Sequence, residues 1–359
     1  MAKKTGVPEK PTNKPVKESA PATFSLCVPS TIISSCNARN LEQVTNVAYQ
    51  VAKAASTFQV AEIVVIDIPP KRTEAVAAAV RLEGNTGNTK VKFGPDESDP
   101  VPQSAAKQSA LRDSEDLDSN GLLFATLLQY FVAPPYLTKA VFRQSKYNKK
   151  FKYAEKLPKL SNLPFMNNNR VGDHFREGLT TPKHTPKVQK RGKKTSVTKL
   201  KVTKYVNIGK ETPLELEGKE VPVNVRVTVD LKNKKIVSPK VAYGDSGSKS
   251  TFGYYVRLAK LITAVFTELS FPQGYSDSIF INANDYFTNG PDTSLAAAST
   301  VTRGNVLLVV GKLDDFLRSF SRETIEGVSD LTDMFDSELK IPAGMRVEDA
   351  VMVGLAKLQ

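Results

Sequence analysis

The sequence predicts an α/β protein on a parallel sheet, interrupted midway by a small β-rich insert. Three observations predict it. A strand, a helix and a continuous buried strand follow one another between Phe24 and Ile68. The most strand-like run of the chain, Asn305 to Gly311, and a last helix from Val347 to Leu358 come near the other end. Between them lies a basic stretch that leads into short, β-branched, turn-rich segments.

Residues 1–22 read as a basic, proline-rich, disordered tail without apolar periodicity. Order begins at Phe24-Ser25-Leu26-Cys27-Val28-Pro29, a short strand stopped by proline. Asn37 or Asn40 can cap a helix through Leu41, Val44, Val47, Ala48, Val51, Ala52 and Ala55, which recur at helical spacing. Ala61 to Ile68 is a β-branched run ended by Pro69-Pro70, so a βαβ unit with both sheet faces covered is expected.

Residues 70–119 break the pattern with glycines, prolines and an acidic patch, and read as a flexible insertion. An apolar helix from Leu122 to Val132 follows. The segments Val197–Ile208, Val221–Leu231 and Lys235–Tyr243 are short strands, and Val223 to Val229 alternates strictly, as a half-buried strand does. They suggest a small β-barrel of oligonucleotide-binding type or, failing that, a simple hairpin decoration. Gly244 to Ser250 is a glycine-serine hinge. Beyond it the pattern predicts a helix from Tyr254 to Thr267, a strand at Ile279–Ile281, the Asn305–Gly311 strand and the final helix. That helix carries Glu348 and Asp349 in its first turn, where the dipole favours acids. The α/β unit thus takes residues 23–172 and 246–359, and the insert residues 173–245.

Charge locates the partner. Between Lys139 and Lys204 there are 19 Lys and Arg against three acids, a net +16, whereas the whole chain is +13. Tyr147, Phe151, Tyr153, Phe165 and Phe175 are interleaved with these cations and suit stacking on bases. A solvated charged surface explains a few lysines; a density this high points to a polyanion, RNA above all. Lys149, Lys150, Lys152, Lys190, Arg191, Lys193 and Lys194 are the candidate RNA contacts.

Other classes are poorly served. The chain has two cysteines, Cys27 and Cys36, and two histidines, His174 and His184, without zinc-ligand spacing or the setting of a hydrolytic triad. Sparse cysteine suits a reducing cytosolic or nuclear compartment, although one disulfide is arithmetically possible. No stretch reaches the roughly 18 apolar residues that span a bilayer, and the first residues lack the apolar core of a secretory signal.

In an open α/β sheet, ligands bind beyond the carboxyl ends of the strands. Three segments stand there: Asn282-Ala283-Asn284-Asp285, Gly311-Lys312-Leu313-Asp314-Asp315 and Leu339 to Met345. None carries a phosphate-cradling glycine motif. Gly311 offers close backbone approach or a plain tight turn, and Ile341-Pro342-Ala343-Gly344 offers an adenine shelf or a helix lead-in.

The ordered series Ala61 to Asp67, Leu128-Gln129-Tyr130, Pro135-Tyr136-Leu137, Lys139 to Phe142, Phe175 to Gly178, Gly253 to Ala259, Gly274-Tyr275, Val309-Val310-Gly311 and Arg346 to Ala350 resembles the putative RNA methyltransferase branch of the SPOUT class, the trefoil-knot methyltransferases. The resemblance covers most of the chain outside the tail and residues 70–119. It implies a knotted α/β domain that holds S-adenosyl-L-methionine, interrupted by an oligonucleotide-binding-like insert. It also implies a homodimer or a heterodimer with a related chain, ribosomal RNA as substrate, and a nuclear, nucleolar setting. The cofactor contacts it implies are Asn284, Gly311, Lys312, Ser337, Glu338, Ile341, Gly344 and Met345.

Three positions depart from the branch pattern. Lys312 stands where a second glycine is usual, Asn284 and Asp285 replace an arginine-glycine pair, and Ser337 and Glu338 replace a small polar pair. Two functions follow: a cofactor-dependent RNA methyltransferase, or an RNA-binding ribosome-assembly factor that keeps the fold without the activity. A protein methyltransferase is a third, disfavoured by the basic stretch. Arg257 and Arg346 are either substrate-orienting cations or partners in salt bridges.

Overall fold

The computed structural model describes residues 22–69, 119–143, 145–163, 166, 174–182, 189–190, 193–194, 200–244, 253–269, 271–283, 293–323, 325 and 327–358. The expectations for residues 1–21, for 70–118 and for the hinge at 245–250 therefore lie outside the described residues, as do Phe165 and His184.

A parallel sheet organises the larger part. Its seven strands are β1 (Thr23–Pro29), β2 (Glu62–Ile66), β12 (Tyr255–Ala259), β13 (Asp277–Asn282), β14 (Ala296–Ala297), β15 (Asn305–Gly311) and β16 (Ser337–Glu338). They lie in the order β12-β2-β1-β15-β13-β16-β14, and every pairing is parallel. Alternate residues of each strand enter two separate cores, as the period of two demands. On one side Leu26, Ile63, Leu308 and Ile281 meet α1 (Leu41–Thr57), α2 (Asn120–Val132) and the last helix, α7 (Val347–Leu358). On the other, Cys27, Val64, Val309 and Phe280 meet α5 (Ile262–Thr267) and α6 (Leu313–Phe320). The expected βαβ unit and doubly covered sheet are both present.

Asn40, not Asn37, caps α1: its Oδ1 accepts from Gln43 N at 2.9 Å, and Gln43 Oε1 in return accepts from Arg39 N at 2.7 Å. Helix α2 is capped by Ser119, whose hydroxyl also donates to Asp67 at 2.6 Å and so ties the helix start to the end of β2.

The helix expected over Tyr254–Thr267 is instead a strand and a short helix. Val256 and Leu258 pair in register with Ile63 and Val65, and the hydrogen-bonding edge of β2 outweighs the helical spacing of those side chains. Arg257, half-buried and paired with the buried Glu62 at 3.0 Å, donates to the carbonyls of Ala264 and Val265 at 2.7 and 3.1 Å and pins α5 to the sheet. Arg257 is thus a structural ion-pair partner, away from the carboxyl ends of the strands.

The middle of the chain forms a second, antiparallel sheet. Its order is β11 (Lys235–Val237), β10 (Arg226–Asp230), β3 (Phe175–Thr180), β7 (Tyr205–Asn207), β8 (Leu214–Glu215), around a small core of Val206, Ile208, Leu216, Val227 and Val229. A separate pair joins β6 (Val202–Thr203) to β9 (Val221–Pro222). The alternation from Val223 to Val229 is broken: Asn224 has φ 60°, a left-handed turn, so β10 starts only at Arg226. The stretch Lys235–Tyr243 likewise ends as a short helix, α4 (Pro239–Tyr243), opened by Pro239.

Tyr136 joins the two sheets. Its hydroxyl donates to the Glu177 carbonyl at 3.1 Å, and the Arg176 guanidinium lies 4.3 Å from its ring centroid. Among the described residues no helix is long and apolar enough to cross a membrane.

Candidate functional site: a cleft at the strand ends and the basic turns

All strands of the large sheet run the same way, so their carboxyl ends meet at one edge. There the turns after β1, β13, β15 and β16 converge on a small cleft, open in part to solvent. Ile32 and Asn37 come from the first turn, Ala283 from the second, Lys312 from the third, and Gly344 to Glu348 from the last.

Each turn is held in place. After β1, Ser30 to Ile33 form a 3-10 turn, and Thr31 Oγ1 donates to Asp315 Oδ2 at 2.6 Å, with Arg318 paired to the same carboxylate from one turn further along α6. Asn37 Nδ2 donates to the Thr31 carbonyl at 2.8 Å. Leu313 N donates to Asn282 Oδ1 at 3.3 Å, so β13 caps the helix that follows β15. Gly344 has φ 78°, a left-handed conformation that lets the last turn double back into α7. Arg346 pairs with Glu348 at 2.5 Å, as a salt bridge at a helix start, and also reaches the Asn37 carbonyl at 3.4 Å.

Of the cofactor contacts expected from sequence, Lys312, Gly344 and Met345 line this cleft. Gly311 is buried at its edge, and a Cβ there would stand 2.8 Å from Phe316 Cε2 and 2.9 Å from Pro29 Cγ, so its lack of a side chain serves packing. Ser337 and Glu338 are strand residues of β16; Glu338 is buried and accepts a hydrogen bond from Thr293. Ile341 packs against the core beneath α1 and α7. Asn284 lies outside the described residues, one position beyond the lining residue Ala283. Sequence reasoning missed Ile32, Asn37, Val347 and Glu348. The rule about carboxyl ends, applied to β1 as well, would have found the first two.

Lys312 has φ −76° and ψ 135°, ordinary extended backbone. Lysine in place of glycine therefore changes the charge at the cleft without straining the chain.

The basic stretch separates into two faces. Tyr147 and Phe151 are 2% exposed, and Phe151 stacks on Tyr130 at 4.6 Å, so neither can stack on a base. They anchor two 3-10 turns, Asn148–Lys152 and Ala154–Lys156, against the core, which leaves Lys149 and Lys152 exposed and Lys150 half-exposed. Aromatics interleaved with lysines here mark an amphipathic surface turn. Tyr153 is the half-buried exception, with Lys152 Nζ 5.7 Å and Lys156 Nζ 5.9 Å from its ring centroid. Phe175 is half-buried and faces His174 at 4.0 Å. Lys190, Lys193 and Lys194 belong to the paired strands β4 (Gln189–Lys190) and β5 (Lys193–Lys194); their side chains, and all of Arg191, lie outside the described residues.

Among the described residues no three His, Cys, Asp or Glu gather as a metal site, and neither cysteine is in a disulfide; Cys27 is buried and Cys36 exposed.

Residues 23–358 match the family described as putative RNA methyltransferase. Over 342 residues the chain is 34% identical to the putative methyltransferase YMR310C of Saccharomyces cerevisiae, covering 93% of each. It is 31% identical to the putative methyltransferase YGR283C of the same yeast, covering 95% of this chain and 89% of that one. The 28S rRNA (uridine-N(3))-methyltransferase of Mus musculus is 26% identical, over 94% of this chain and 76% of its own.

Proposed function

This chain belongs to the putative RNA methyltransferase family, and from that premise we propose that it is an S-adenosyl-L-methionine-dependent methyltransferase of ribosomal RNA, acting at N3 of a uridine. The observation that carries the reading is the cleft itself: four turns at the carboxyl ends of parallel strands converge on it, within a chain that matches the family nearly end to end. The same reading makes the α/β unit (23–172 and 246–359) a trefoil-knot domain of the SPOUT class and the insert (173–245) an oligonucleotide-binding-like module. Support for the knot comes from β16, which lies beside β13, while α7 returns across the sheet to pack on α1. The protein would act as a dimer, of identical or related chains, in the nucleolus.

The residues present fit the cofactor. Ile32, Ala283, Met345 and Val347 offer apolar walls for an adenine ring, and Gly344 offers backbone at close approach. The nearly buried Glu348 carboxylate also lines the cleft, where it is paired with Arg346. When bound, the cofactor supplies an electrophilic methyl group on a sulfonium. The chain's own residues would hold the uridine N3 in line with that methyl and exclude water from the reacting pair; as the N3–methyl bond forms and the S–methyl bond breaks, the N3 proton leaves to solvent. Lys149, Lys150, Lys152, Lys190, Arg191, Lys193 and Lys194 hold the RNA backbone.

Lys312 favours the second reading, an RNA-binding assembly factor without methyl transfer, because it brings a cation to the cleft a sulfonium must enter. Two measurements separate them. Incubation with radiolabelled S-adenosyl-L-methionine and large-subunit rRNA should label the RNA at a uridine, mapped by nuclease digestion and mass spectrometry. Calorimetry that detects no cofactor binding by the folded protein, with RNA binding intact, would leave the assembly role standing. Replacing Lys190, Arg191, Lys193 and Lys194 with Ala should reduce the salt dependence of RNA binding, by a slope of about 0.7 per lost contact on a single strand; an unchanged slope removes that surface from the interface.

A further inference from the structure

A second concavity lies on the other side of the turn that borders the cleft. Asn37 lines the cleft and Asn40, three residues on in the same connection, lines a wider groove. The first turns of α1 supply Asn40, Glu42, Gln43 and Asn46, and the basic turns supply Tyr153 and Lys156. Leu157 completes the wall.

The chemistry of these groups is that of a nucleotide subsite. Tyr153 presents a half-buried ring on a turn buttressed by the buried Phe151 and Ala154, a fixed platform for a base. The ammonium groups of Lys152 and Lys156 lie over that ring, 5.7 and 5.9 Å from its centroid, and can swing to a phosphate when a base takes the ring face. Opposite, the side-chain oxygens of Asn40 and Gln43 are committed to the backbone amides of Gln43 and Arg39. Their NH2 groups are left as outward donors, and Asn46, exposed one turn along α1, adds a third amide. Glu42 on the same wall repels phosphate, so the two sides are unlike: amides for the base edge, lysines for the backbone. A base rich in carbonyl acceptors, such as uracil, matches a row of amide donors.

We propose that this groove binds one unstacked nucleotide of single-stranded RNA, a neighbour of the nucleotide presented to the cleft, with its base on Tyr153 and its edge against the α1 amides. The inference rests on the reading of the protein as RNA-binding and adds a second point that fixes the register of the strand.

Fluorescence anisotropy with a short labelled oligouridylate, on the full chain at constant salt, tests it. Tyr153→Ala should weaken binding roughly tenfold, the loss expected when one base loses its stacking partner, whereas Tyr153→Phe should stay within about twofold of wild type. Asn46→Asp, which touches no core contact, should also weaken binding. Thermal melting of each variant shows that it is folded. The proposal is overturned if Tyr153→Ala melts normally and binds as wild type does, or, should it unfold, if Asn46→Asp binds unchanged. Failure of the RNA reading looks different: wild type itself would then show no salt-dependent binding to oligouridylate or to rRNA fragments.

Discussion

Arg346 Nη2 lies 3.4 Å from the carbonyl oxygen of Asn37, a residue 309 positions earlier, while its Nε sits 2.5 Å from Glu348. One guanidinium thereby ties the first turn of the cleft to the last. Arg346 is 54% exposed, so the ion pair contributes little to global stability, on the order of 0–1 kcal/mol. Its effect is local. Arg346→Ala should leave the melting temperature nearly unchanged and increase amide exchange in residues 34–40 and 341–346. Equal exchange in both proteins would show that the tie does not restrain the turns.

Lys312 bears on whether the cleft admits a cation. Because its backbone is ordinary extended chain, alanine is tolerated there and removes the charge. Lys312→Ala should raise affinity for S-adenosyl-L-methionine by about threefold to tenfold, the size of removing one partly screened like charge. Calorimetry checks it; no gain would place the cause of any weak binding in another turn.

The large sheet was legible because its strands are buried on both faces and so read as unbroken apolar runs, as in Val64-Val65-Ile66 and Leu307-Leu308-Val309. The edge strand β12 was not. Tyr255 is half-exposed and Arg257 interrupts the run, so the segment kept a helical spacing that only its pairing with β2 overrides. Helix α6 was missed for a related reason: it spans only Leu313–Phe320, too short for periodicity to show. At the cleft, the turns after β13 and β15 were found because they follow recognisable strands, and the last one because Pro342 and Gly344 stand just ahead of the final helix. Arg346 acquires its place from a contact with Asn37, which no local pattern encodes, and holds Glu348 in turn. The aromatics of the basic stretch misled for want of burial, since Tyr147 and Phe151 look the same in sequence whether they face RNA or the core.

The two cysteines should behave as different reagents. Burial among Val64, Ile66 and Phe280 pushes the Cys27 thiol far above its ordinary range, despite the opposing Arg257 charge. Cys36 is exposed at the turn beside the cleft. A thiol-specific chromogenic reagent should therefore modify one cysteine in the native protein and two in denaturant. Two fast native equivalents would mean that β1 opens readily.

Glu177 gives the insert a dependence on pH of predictable sign. The carboxylate is fully buried, with Arg226 Nε at 2.6 Å and the Tyr243 hydroxyl donating to it at 3.1 Å. Burial raises its pKa above the ordinary 4.5, and the Arg226 charge and the two hydrogen bonds recover only part of the shift. A native pKa above the unfolded one means that the folded state binds more protons between the two. This group's contribution to stability is therefore fully present below the ordinary carboxylate pKa and is lost as pH rises through the native pKa. Glu177→Gln should flatten that fall, and subtracting its denaturation curves from those of wild type isolates the contribution from other carboxylates. Arg226→Ala should cost about 3–5 kcal/mol near neutral pH, because it strands a buried charge. The loss should be smaller in mild acid, where Glu177 takes up a proton. Chemical denaturation followed by circular dichroism at both pH values decides it: an Arg226→Ala penalty independent of pH would show that packing, and not the ion pair, holds β3 to β10.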